Sequence, residues 1–445
     1  MKIKLKKGLR LNIAGAVPAD AKPATIDSQA FAVYPDDFPG FVPKVDVKEG
    51  DAVACGTPLM HDKAHPGVKL VSPVCGTVKA VVRGERRKVI RIEIAAASDK
   101  AAAPVLTKPK DSATAKEFLA ASGLLALMRQ RPYDIVPDPA DNVRDIFVTA
   151  FDSAPLASSY SVFDAIFTTE DYQAGIDVLA MATSGKVYIS HEAGFPHTSL
   201  RGAELVEFDG AYPASNVGVQ IANIRPVDKG DIVWTLDFAT LGRIGRLART
   251  GEYNFSTVVT VAGPEVKSPC LVKTVCGASL KDVIGSNLDD SGRSLRIISG
   301  NVFTGIAENI DDYLRFPYRQ ITVIDEGDDV DEFMGWASFS PSKMSESSSF
   351  PGHFLSKAFR PDARINGGRR AMIVSGQYDR FMPMDILPEY LLKAILSNNI
   401  DDMEKLGIYE VAPEDFAAAE YADTSKLPLQ QIVRDGLDSL RKELE

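Results

Sequence analysis

The stretch that decides the fold of the first hundred residues reads VDVKEGDAV at residues 45–53 and continues as GTPL at residues 56–59. Apolar and polar residues alternate along it, and a Gly-Asp pair at residues 50–51 interrupts the alternation. Such alternation predicts half-buried strands, and the Gly-Asp pair predicts the turn between them. The run SPVCGTV at residues 72–78 predicts a further strand. We therefore expect residues 1–100 to form a small β domain.

This pattern resembles the flattened barrel, or barrel-sandwich hybrid, of lipoyl and biotinyl domains. Those domains present an acylated lysine on a hairpin tip, and Lys63 lies near the corresponding place, thirteen residues before Gly76. The residues that follow it, HPGVK at 65–69, predict a different turn. The sequence leaves open a swinging-arm carrier, and we favour an unmodified surface lysine.

Length and composition indicate a multidomain globular protein. The chain has 445 residues, whereas single cores stop growing at about 250–300 residues. The net charge of −10 argues against a nucleic-acid partner and against direct adhesion to anionic lipid. No apolar run approaches the roughly 20 residues of a membrane-spanning helix. The basic start has no apolar segment behind it, so we expect no signal peptide, a cytoplasmic location and reduced thiols.

Residues 117–255 alternate apolar strands with helical patterns, which predicts a parallel sheet flanked by helices. A linker rich in Ala, Ser and Lys precedes it at 95–116. The elements predicted here are strands at 145–150 and 186–190 and an amphipathic helix at 231–250, ended by Gly251. Three arginines of that helix are expected to complement its dipole rather than to bind an anion: Arg243, Arg246 and Arg249.

Residues 256–335 are rich in strands and predict a small β module, and residues 360–445 predict a helical end. The predicted strands are 257–261, 295–298 and 320–324. The predicted helices are 385–397, 400–406 and 429–444. A Ser-rich segment at 338–349 is expected to form a surface excursion.

The sequence contains no G-x-G-x-x-G after a strand and no G-x-x-x-x-G-K-[ST], the loops that hold nucleotide phosphates. The turn at 149–155 is bulky where a pyrophosphate would need close backbone approach. We therefore expect a nucleotide cleft to be collapsed. Gly242 and Gly245 lie inside the predicted helix and are interpreted as a notch for helix packing.

Other polar groups predict no catalytic or metal site. His191 and His197 are separated by Pro196, so we expect hydrogen-bonded loop imidazoles rather than metal ligands. The acidic run at 325–332 lacks the order of a calcium loop and is interpreted as a solvated turn. The four cysteines have no cluster spacing. Two are expected in barrel strands and two in the β module: Cys55 and Cys75, and Cys270 and Cys276.

Segments spread over essentially the whole chain carry a resemblance to one family. They are KKGL at 6–9, IAG at 13–15, PGVK at 66–69, GAYPA at 210–214, VVTVAGP at 258–264, RAM at 370–372 and the region 376–386. The sequence resembles the A subunit of the bacterial Na⁺-translocating NADH:quinone oxidoreductase, the NqrA family. This family is similar to the C subunit of Rnf complexes and, more remotely, to the flavin-bearing subunit of complex I.

The resemblance implies an α/β and β multidomain architecture. Its parts would be a barrel-sandwich hybrid at 1–100, a Rossmann-like domain without a nucleotide motif at 117–255, a β-grasp module of the SLBB type at 256–335 and a helical, ferredoxin-like end at 360–445. In the Rnf relatives the helical end carries cluster cysteines. Here it contains no cysteine, which implies that the clusters are lost.

The resemblance also implies a function. The chain would be a peripheral subunit on the cytoplasmic face of the bacterial inner membrane, within a Na⁺-pumping respiratory enzyme that oxidises NADH and reduces quinone. NADH, flavins and iron–sulfur clusters would be used by other subunits, and this chain would hold no cofactor. Its partners would be the B to F subunits, chiefly the B subunit, and its role would be assembly and support of quinone reduction.

A quinone-binding surface on this chain is a further expectation, and its candidate residues are Met372, Tyr378, Arg380, Phe381 and Met382. Packing of these side chains in the core is the alternative. Two other functions stay open. One is an electron-input module that binds NADH and flavin, and the other is a soluble lipoyl-like carrier or scaffold.

Overall fold

The computed structural model of the chain describes residues 1–97, 103–289, 292–328, 337–338, 343, 345–347, 349–352 and 358–444. Half of the predicted surface segment 338–349 and the second half of the acidic run 325–332 lie outside the described residues. Three β-rich or α/β regions and a helical end follow one another along the chain.

The N-terminal barrel consists of two antiparallel sheets. The strands of the larger sheet are β3 (Ala30–Val33), β5 (Ala52–Val53), β8 (Gly76–Arg83) and β9 (Val89–Ala96). Those of the smaller sheet are β4 (Pro43–Val45), β6 (Pro58–Asp62) and β7 (Lys69–Val71). Their orders are β3-β9-β8-β5 and β4-β6-β7. Ile92 and Ile94 are fully buried, as the alternating pattern predicts, whereas the consecutive Leu59 and Met60 are both fully buried next to an irregularity in the pairing of β6 with β7.

A six-stranded sheet forms the α/β region. Its strands are β1 (Lys2–Lys4), β10 (Arg129–Arg131), β11 (Asp145–Thr149), β12 (Val187–His191), β13 (Ala203–Asp209) and β14 (Val233–Asp237). The order is β1-β13-β12-β11-β14-β10, parallel except for β10. The first strand of the chain therefore belongs to this sheet and not to the barrel.

Helices cover both faces of this sheet. They are α1 (Ser112–Ala121), α2 (Thr169–Ala182), α3 (Val217–Ile224) and α4 (Phe238–Thr250). Ile176 of α2 and Ile244 of α4 pack with Ile146 on one face, and Ile221 of α3 packs with Phe147 on the other. Successive residues of β11 point to opposite faces, so both faces of this central strand are apolar.

The predicted helix at 231–250 is wrong in its first part. Residues 233–237 form β14, and the helix begins only at Phe238. Trp234 and Thr235 are buried on opposite faces of the sheet. A strand that is buried on both faces lacks the alternation of apolar and polar residues, so its sequence can be mistaken for that of a helix. Asp237 caps the helix, and Gly251 ends it with a left-handed φ of 75°, as predicted.

A second six-stranded sheet follows. Its strands are β2 (Ala24–Thr25), β15 (Ser256–Ala262), β16 (Cys270–Val275), β17 (Leu295–Ser299), β18 (Ile306–Glu308) and β19 (Gln320–Asp325). The order is β18-β17-β19-β15-β16-β2, and the short helix α5 (Leu280–Ile284) packs against it. The three predicted strands of this region are confirmed as β15, β17 and β19.

The C-terminal region is helical. It contains α6 (Pro388–Leu396), α7 (Ile400–Lys405), α8 (Ala417–Ala422) and α9 (Leu429–Leu444), with shorter turns at Tyr378–Arg380 and Pro413–Phe416. Leu391, Met403, Phe416 and Leu437 are fully buried in its core. The predicted helices are confirmed, and α9 has the predicted bounds. No helix among the described residues is long and apolar enough to span a membrane.

The cysteines lie at strand ends rather than inside the barrel strands, so that prediction is wrong for Cys55 and Cys75. Cys55 follows β5 in a turn, and Cys75 directly precedes β8. The amide of Cys55 lies 3.4 Å from Sγ of Cys75, and all four cysteines are free thiols. Cys270 begins β16 and Cys276 follows it, so both lie in the β module as predicted.

Candidate functional site

A cleft of about 490 Å³ lies at the carboxyl ends of β11 and β14. From β11 the chain runs outward through β12 to β13, and it then returns to place β14 on the other side of β11. A parallel sheet opens a crevice where the strand order reverses in this way. Asp152, just after β11, and Asp237, at the end of β14, line this crevice. The cleft thus occupies the usual ligand position of doubly wound sheets.

Residues from the barrel, from the second six-stranded sheet and from the C-terminal region also line the cleft. Asp37 comes from the barrel, Arg319 from the loop before β19, and Glu414 from the C-terminal region. Its volume falls within the roughly 300–1,000 Å³ of small-molecule sites. The expectation of a collapsed cleft is therefore wrong. The bulky Phe151 is buried against Phe208, with 6.3 Å between the ring centroids, so its ring packs into the core and leaves the cleft open.

Arg319 joins the two strand ends across the cleft. Its guanidinium lies 3.1 Å from Oδ2 of Asp152 and 3.6 Å from Oδ2 of Asp237. It also lies over the ring of Tyr160, 3.9 Å from the centroid. Burial raises the pKa of the Tyr160 hydroxyl, which therefore stays neutral. One cation thus balances the acidic residues that follow β11 and end β14.

The N-terminus of α4 points into this cleft and is capped by its own chain. Oδ1 of Asp237 accepts a hydrogen bond of 2.7 Å from the amide of Thr240. A helix N-terminus attracts anions through its free amides and its dipole. Here a carboxylate already fills that position and would repel a phosphate.

A second charged group lies on the C-terminal side of the cleft around Arg131, which is only 2% exposed. Its guanidinium lies 3.0 Å from Glu414, 3.6 Å from Asp134 and 3.7 Å from Asp415. Asp415 is fully buried and accepts the amide of Ala412. Desolvation in this crowded group raises the pKa of Glu414, although its side chain is 40% exposed. The positive charge of Arg131 lowers this pKa, and the negative charge of Asp415 raises it further.

A third ion pair connects the barrel to the loop before β19. Asp37 accepts a 2.6 Å bond from Arg315 and a 3.0 Å bond from the amide of Phe316. Burial raises the pKa of Asp37 to about 6, and the guanidinium of Arg315 and the amide of Phe316 limit this rise. Arg315 also pairs with Glu308 at 2.9 Å. These contacts fix the mouth of the cleft.

The predicted quinone residues do not line this cleft. Tyr378, Met382 and the partly buried Met372 pack in the core of the helical region, whereas Phe381 packs in a neighbouring cluster. Arg380 is exposed, with its guanidinium 5.3 Å from the ring centroid of Phe381. The structure therefore brings three of the five together, and the predicted quinone role of these residues stays a prediction.

The two histidines are hydrogen-bonded, as predicted, although His191 is the last residue of β12 and does not lie in a loop. Nδ1 of His191 lies 2.8 Å from the carbonyl oxygen of Glu192, and Nε2 of His197 lies 2.8 Å from Asp164. Among the described residues, no group of three or more His, Cys, Asp or Glu side chains could hold a metal ion. Lys63 is exposed in the turn between β6 and β7, and its amide donates to the carbonyl oxygen of Val42.

The glycine notch in α4 is confirmed. A Cβ on Gly245 would lie 1.7 Å from the carbonyl oxygen of Asp171, and one on Gly175 would lie 2.4 Å from that of Leu241. The two helices therefore touch backbone to backbone. The close contact of the helices brings Arg249 and Arg246 to the buried Asp171, at 2.7 and 3.6 Å. The predicted dipole interaction does not account for these contacts.

Sequence reasoning missed the charged residues of the cleft, which are Asp37, Arg131, Asp152, Asp237, Arg319 and Glu414. Asp152 carried a usable signal, because it directly follows a predicted parallel strand. No sequence signal pointed to Asp237, because it lay inside a predicted helix. The others come from distant regions, and no local pattern connects them.

Comparison with known families divides the chain into three matched regions, the first of which also supplies β1 and β2 to the other two sheets. Residues 3–97 match the NqrA N-terminal barrel-sandwich hybrid domain, residues 110–253 match the NqrA second alpha/beta domain, and residues 258–308 match the NQRA C-terminal domain of the SLBB type. These matches define a multidomain protein with a barrel-sandwich domain, an α/β domain and an SLBB-like domain.

Full-length relatives identify the family. The chain is 35% identical to the A subunit of the Na(+)-translocating NADH-quinone reductase of Neisseria meningitidis serogroup C, over 99% of this chain and 100% of the relative. It is 34% identical to the protein of that name from Pasteurella multocida and 35% identical to that from Haemophilus influenzae, with the same coverage. The chain belongs to the NqrA family, the A subunits of Na(+)-translocating NADH-quinone reductases.

Solved structures add little. The NAD+-reducing nickel–iron hydrogenase in its air-oxidised state superposes with a TM-score of 0.35 and 16% identity, over 69% of this chain and 56% of the hydrogenase chain. A score this low does not establish a common fold.

Proposed function

We propose that this chain is the peripheral, cytoplasm-facing A subunit of a Na⁺-pumping respiratory NADH:quinone reductase. The full-length identity of 35% to proteins with that name carries the proposal. The B to F subunits would be its partners, and the B subunit would be its main contact in the membrane. Its role would be assembly of the complex and support of quinone reduction rather than NADH oxidation.

The cleft supports the view that the chain holds no flavin or dinucleotide. Fold relatives that bind flavin phosphates use a glycine-rich turn and a free helix N-terminus. Here the turn after β11 has no glycine, and Asp237 caps α4. Acidic side chains, including Asp152 and Glu414, face the space that phosphates would occupy. The residues present do not fit a phosphate-bearing cofactor.

The same reasoning applies to the helical end. We propose that the α/β domain is Rossmann-like and that the C-terminal helices derive from a ferredoxin-like domain. Iron–sulfur clusters require runs of thiolates. The sequence has no cysteine after Cys276, so residues 360–445 lack every thiolate ligand. Electron transfer would belong to other subunits of the complex.

Contact with a quinone fits the cleft better than the predicted patch around Tyr378. A quinone site needs apolar surface with a few polar groups that converge on it. Tyr160, Tyr212 and Phe316 give the cleft aromatic surface, and Asn216 and Arg319 give it polar groups. Tyr378, Phe381 and Met382 do not line the cleft and are each at most 2% exposed.

Purification of the tagged chain from solubilised membranes tests the proposal. We expect it to recover a flavoprotein and multispanning subunits that together oxidise NADH and pump Na⁺. A lone polypeptide would count against membership in the complex. If the isolated chain carried flavin absorbance or oxidised NADH by itself, the electron-input alternative would replace the proposal.

A further inference from the structure

The outward face of α6 is apolar. Leu387, directly before the helix, and Tyr390 and Leu396 within it are 54%, 54% and 56% exposed. The opposite face carries Leu391 and Leu392, which are fully buried in the helical core. A surface helix normally presents polar residues to water. The outer face of this helix carries Tyr390 and Leu396 on either side of the exposed Lys393, so its apolar residues are suited to cover by another molecule.

A neighbouring segment extends this apolar face. Ile373 and Val374 are 64% and 40% exposed. The next three residues are fixed to α6, because Ser375, Gly376 and Gln377 all donate to the carboxylate of Glu389, at 3.0–3.3 Å. Glu389 is buried in the first turn of the helix. The two exposed aliphatic residues are thus held next to the start of α6.

The clustering is not the ordinary scatter of apolar residues on a surface. Eleven large hydrophobic side chains are exposed among the described residues, and five of them lie between residues 373 and 396. We call these five the α6 surface: Ile373, Val374, Leu387, Tyr390 and Leu396. Contiguous exposed apolar patches mark interaction sites, whereas single exposed residues do not.

Three cations and one carboxylate, the exposed Asp385 two residues before Leu387, lie within or beside the α6 surface. Lys393 is exposed on α6 between Tyr390 and Leu396, and Arg369 and Arg370 are exposed just before Ile373. The amide of Arg370 is anchored to the carbonyl oxygen of Ser425 at 2.8 Å. None of the three cations has an ion-pair partner among the described residues. In a chain with a net charge of −10, this cationic border favours a partner with carboxylates around an apolar centre.

We infer that the α6 surface docks on another protein of the reductase complex, through an apolar patch bordered by acidic residues on that protein. The inference rests on the proposed function, which requires a protein partner. A lipid bilayer is the less suitable occupant, because anionic lipids repel a chain of this net charge and three cations provide little attraction. Tyr and Arg, both present at this surface, are enriched at protein–protein interfaces and among the residues that contribute most to binding.

Charge reversal within the apolar surface tests the inference in the assembled complex. The chain carrying Tyr390→Glu and Leu396→Glu is expressed with the other subunits, and its retention by the tagged membrane-embedded partner is measured. We expect its apparent affinity to fall about tenfold or more, as for buried interface residues. Arg369→Glu with Arg370→Glu should weaken retention to a smaller extent and make it less dependent on salt.

The control is a matched double variant, Val105→Glu with Leu444→Glu. Val105 and Leu444 are 98% and 49% exposed and lie outside the α6 surface. The control should be retained like the wild type, and both double variants should keep the wild-type circular dichroism spectrum. Hydrogen exchange of the amides in α6 should slow in the complex relative to the free chain.

The same variant distinguishes other possible partners of the α6 surface. Full retention of Tyr390→Glu with Leu396→Glu, with no protection of α6, would overturn the inference while leaving the proposed function intact. Binding of the free chain to vesicles of phosphatidylglycerol and phosphatidylcholine, lost in this variant, would assign the surface to lipid instead. A dimer of the free chain that the variant dissociates would assign it to a second copy. If the wild type is not retained at all, the proposed function itself fails.

Discussion

The contact between α2 and α4 can be tested by adding one methyl group at Gly245. In Gly245→Ala the new Cβ would lie 1.7 Å from the carbonyl oxygen of Asp171 and 2.5 Å from the amide nitrogen of Gly175. A carbon normally approaches a carbonyl oxygen to about 3.3 Å. The helices would therefore have to separate by roughly 1.6 Å at this point, because backbone atoms cannot rotate away as a side chain can.

Two opposing effects set the magnitude. Overpacking of a core costs about 1–3 kcal/mol or more, and the upper part of that range applies because both neighbours are backbone. The alanine gains about 1 kcal/mol in helix propensity over glycine. We expect the free energy of unfolding to fall by about 2 kcal/mol.

Gly242→Ala in the same helix is the matched control. It has the same gain in propensity, but its Cβ would meet the ring of Phe167 at 2.6 Å, and a side chain can shift more easily than backbone. We expect it to cost less than Gly245→Ala by about 1 kcal/mol, although the buried Phe167 ring has to shift.

Urea unfolding followed by the fluorescence of Trp234, which is fully buried in β14, measures both variants in this region. A Trp336→Phe background makes Trp234 the single tryptophan. If Gly245→Ala were as stable as its parent, or Gly242→Ala cost more, the proposed backbone contact would be refuted.

Four further predictions concern the cleft and the barrel. Asp237→Ala should lower the free energy of unfolding in urea by about 1 kcal/mol, and Asp237→Asn by less than half of that, because the amide oxygen can still cap α4; equal losses would contradict the capping role. The raised pKa of Glu414 means that the folded chain holds this proton more tightly than the unfolded chain, so stability falls as pH rises above the ordinary value of about 4.3. Glu414→Gln should therefore reduce the loss in melting temperature between pH 5 and pH 8 relative to the wild type, and an unchanged slope would exclude Glu414 as its source. Burial raises the pKa of Cys55 to about 12, so iodoacetamide at pH 8 should label it far more slowly than an unfolded peptide containing it, as measured by peptide mass spectrometry. The intact mass should equal that of the unmodified 48.1 kDa chain, and an added lipoyl or biotinyl group on Lys63 would reverse that interpretation.

Local sequence patterns predicted a part of the regular elements, whereas helices α1, α2 and α3 were not predicted individually. Strands β11 and β15 and helix α9 were predicted closely because each is a continuous apolar run or a sustained helical stripe. Strand β14 was missed because its residues are buried on both faces and run without a break into α4, so that strand and helix share one apolar pattern. Periodicity reports burial, and it does not separate two adjoining elements that are both buried.

The open cleft could not be predicted from any single segment, because its state depends on where one ring packs. A bulky residue in the turn after β11 suggested collapse, yet Phe151 stacks on Phe208 from β13, about 57 residues along the chain. The Phe151 ring packs at the edge of the cleft, and Arg319 joins Asp152 and Asp237 across it through partly exposed ion pairs. Closing the cleft would remove these ion pairs and the Arg131 group from water, and such desolvation costs several kcal/mol per ion. The charges that make the site unsuited to phosphate are thus the same ones that keep it open.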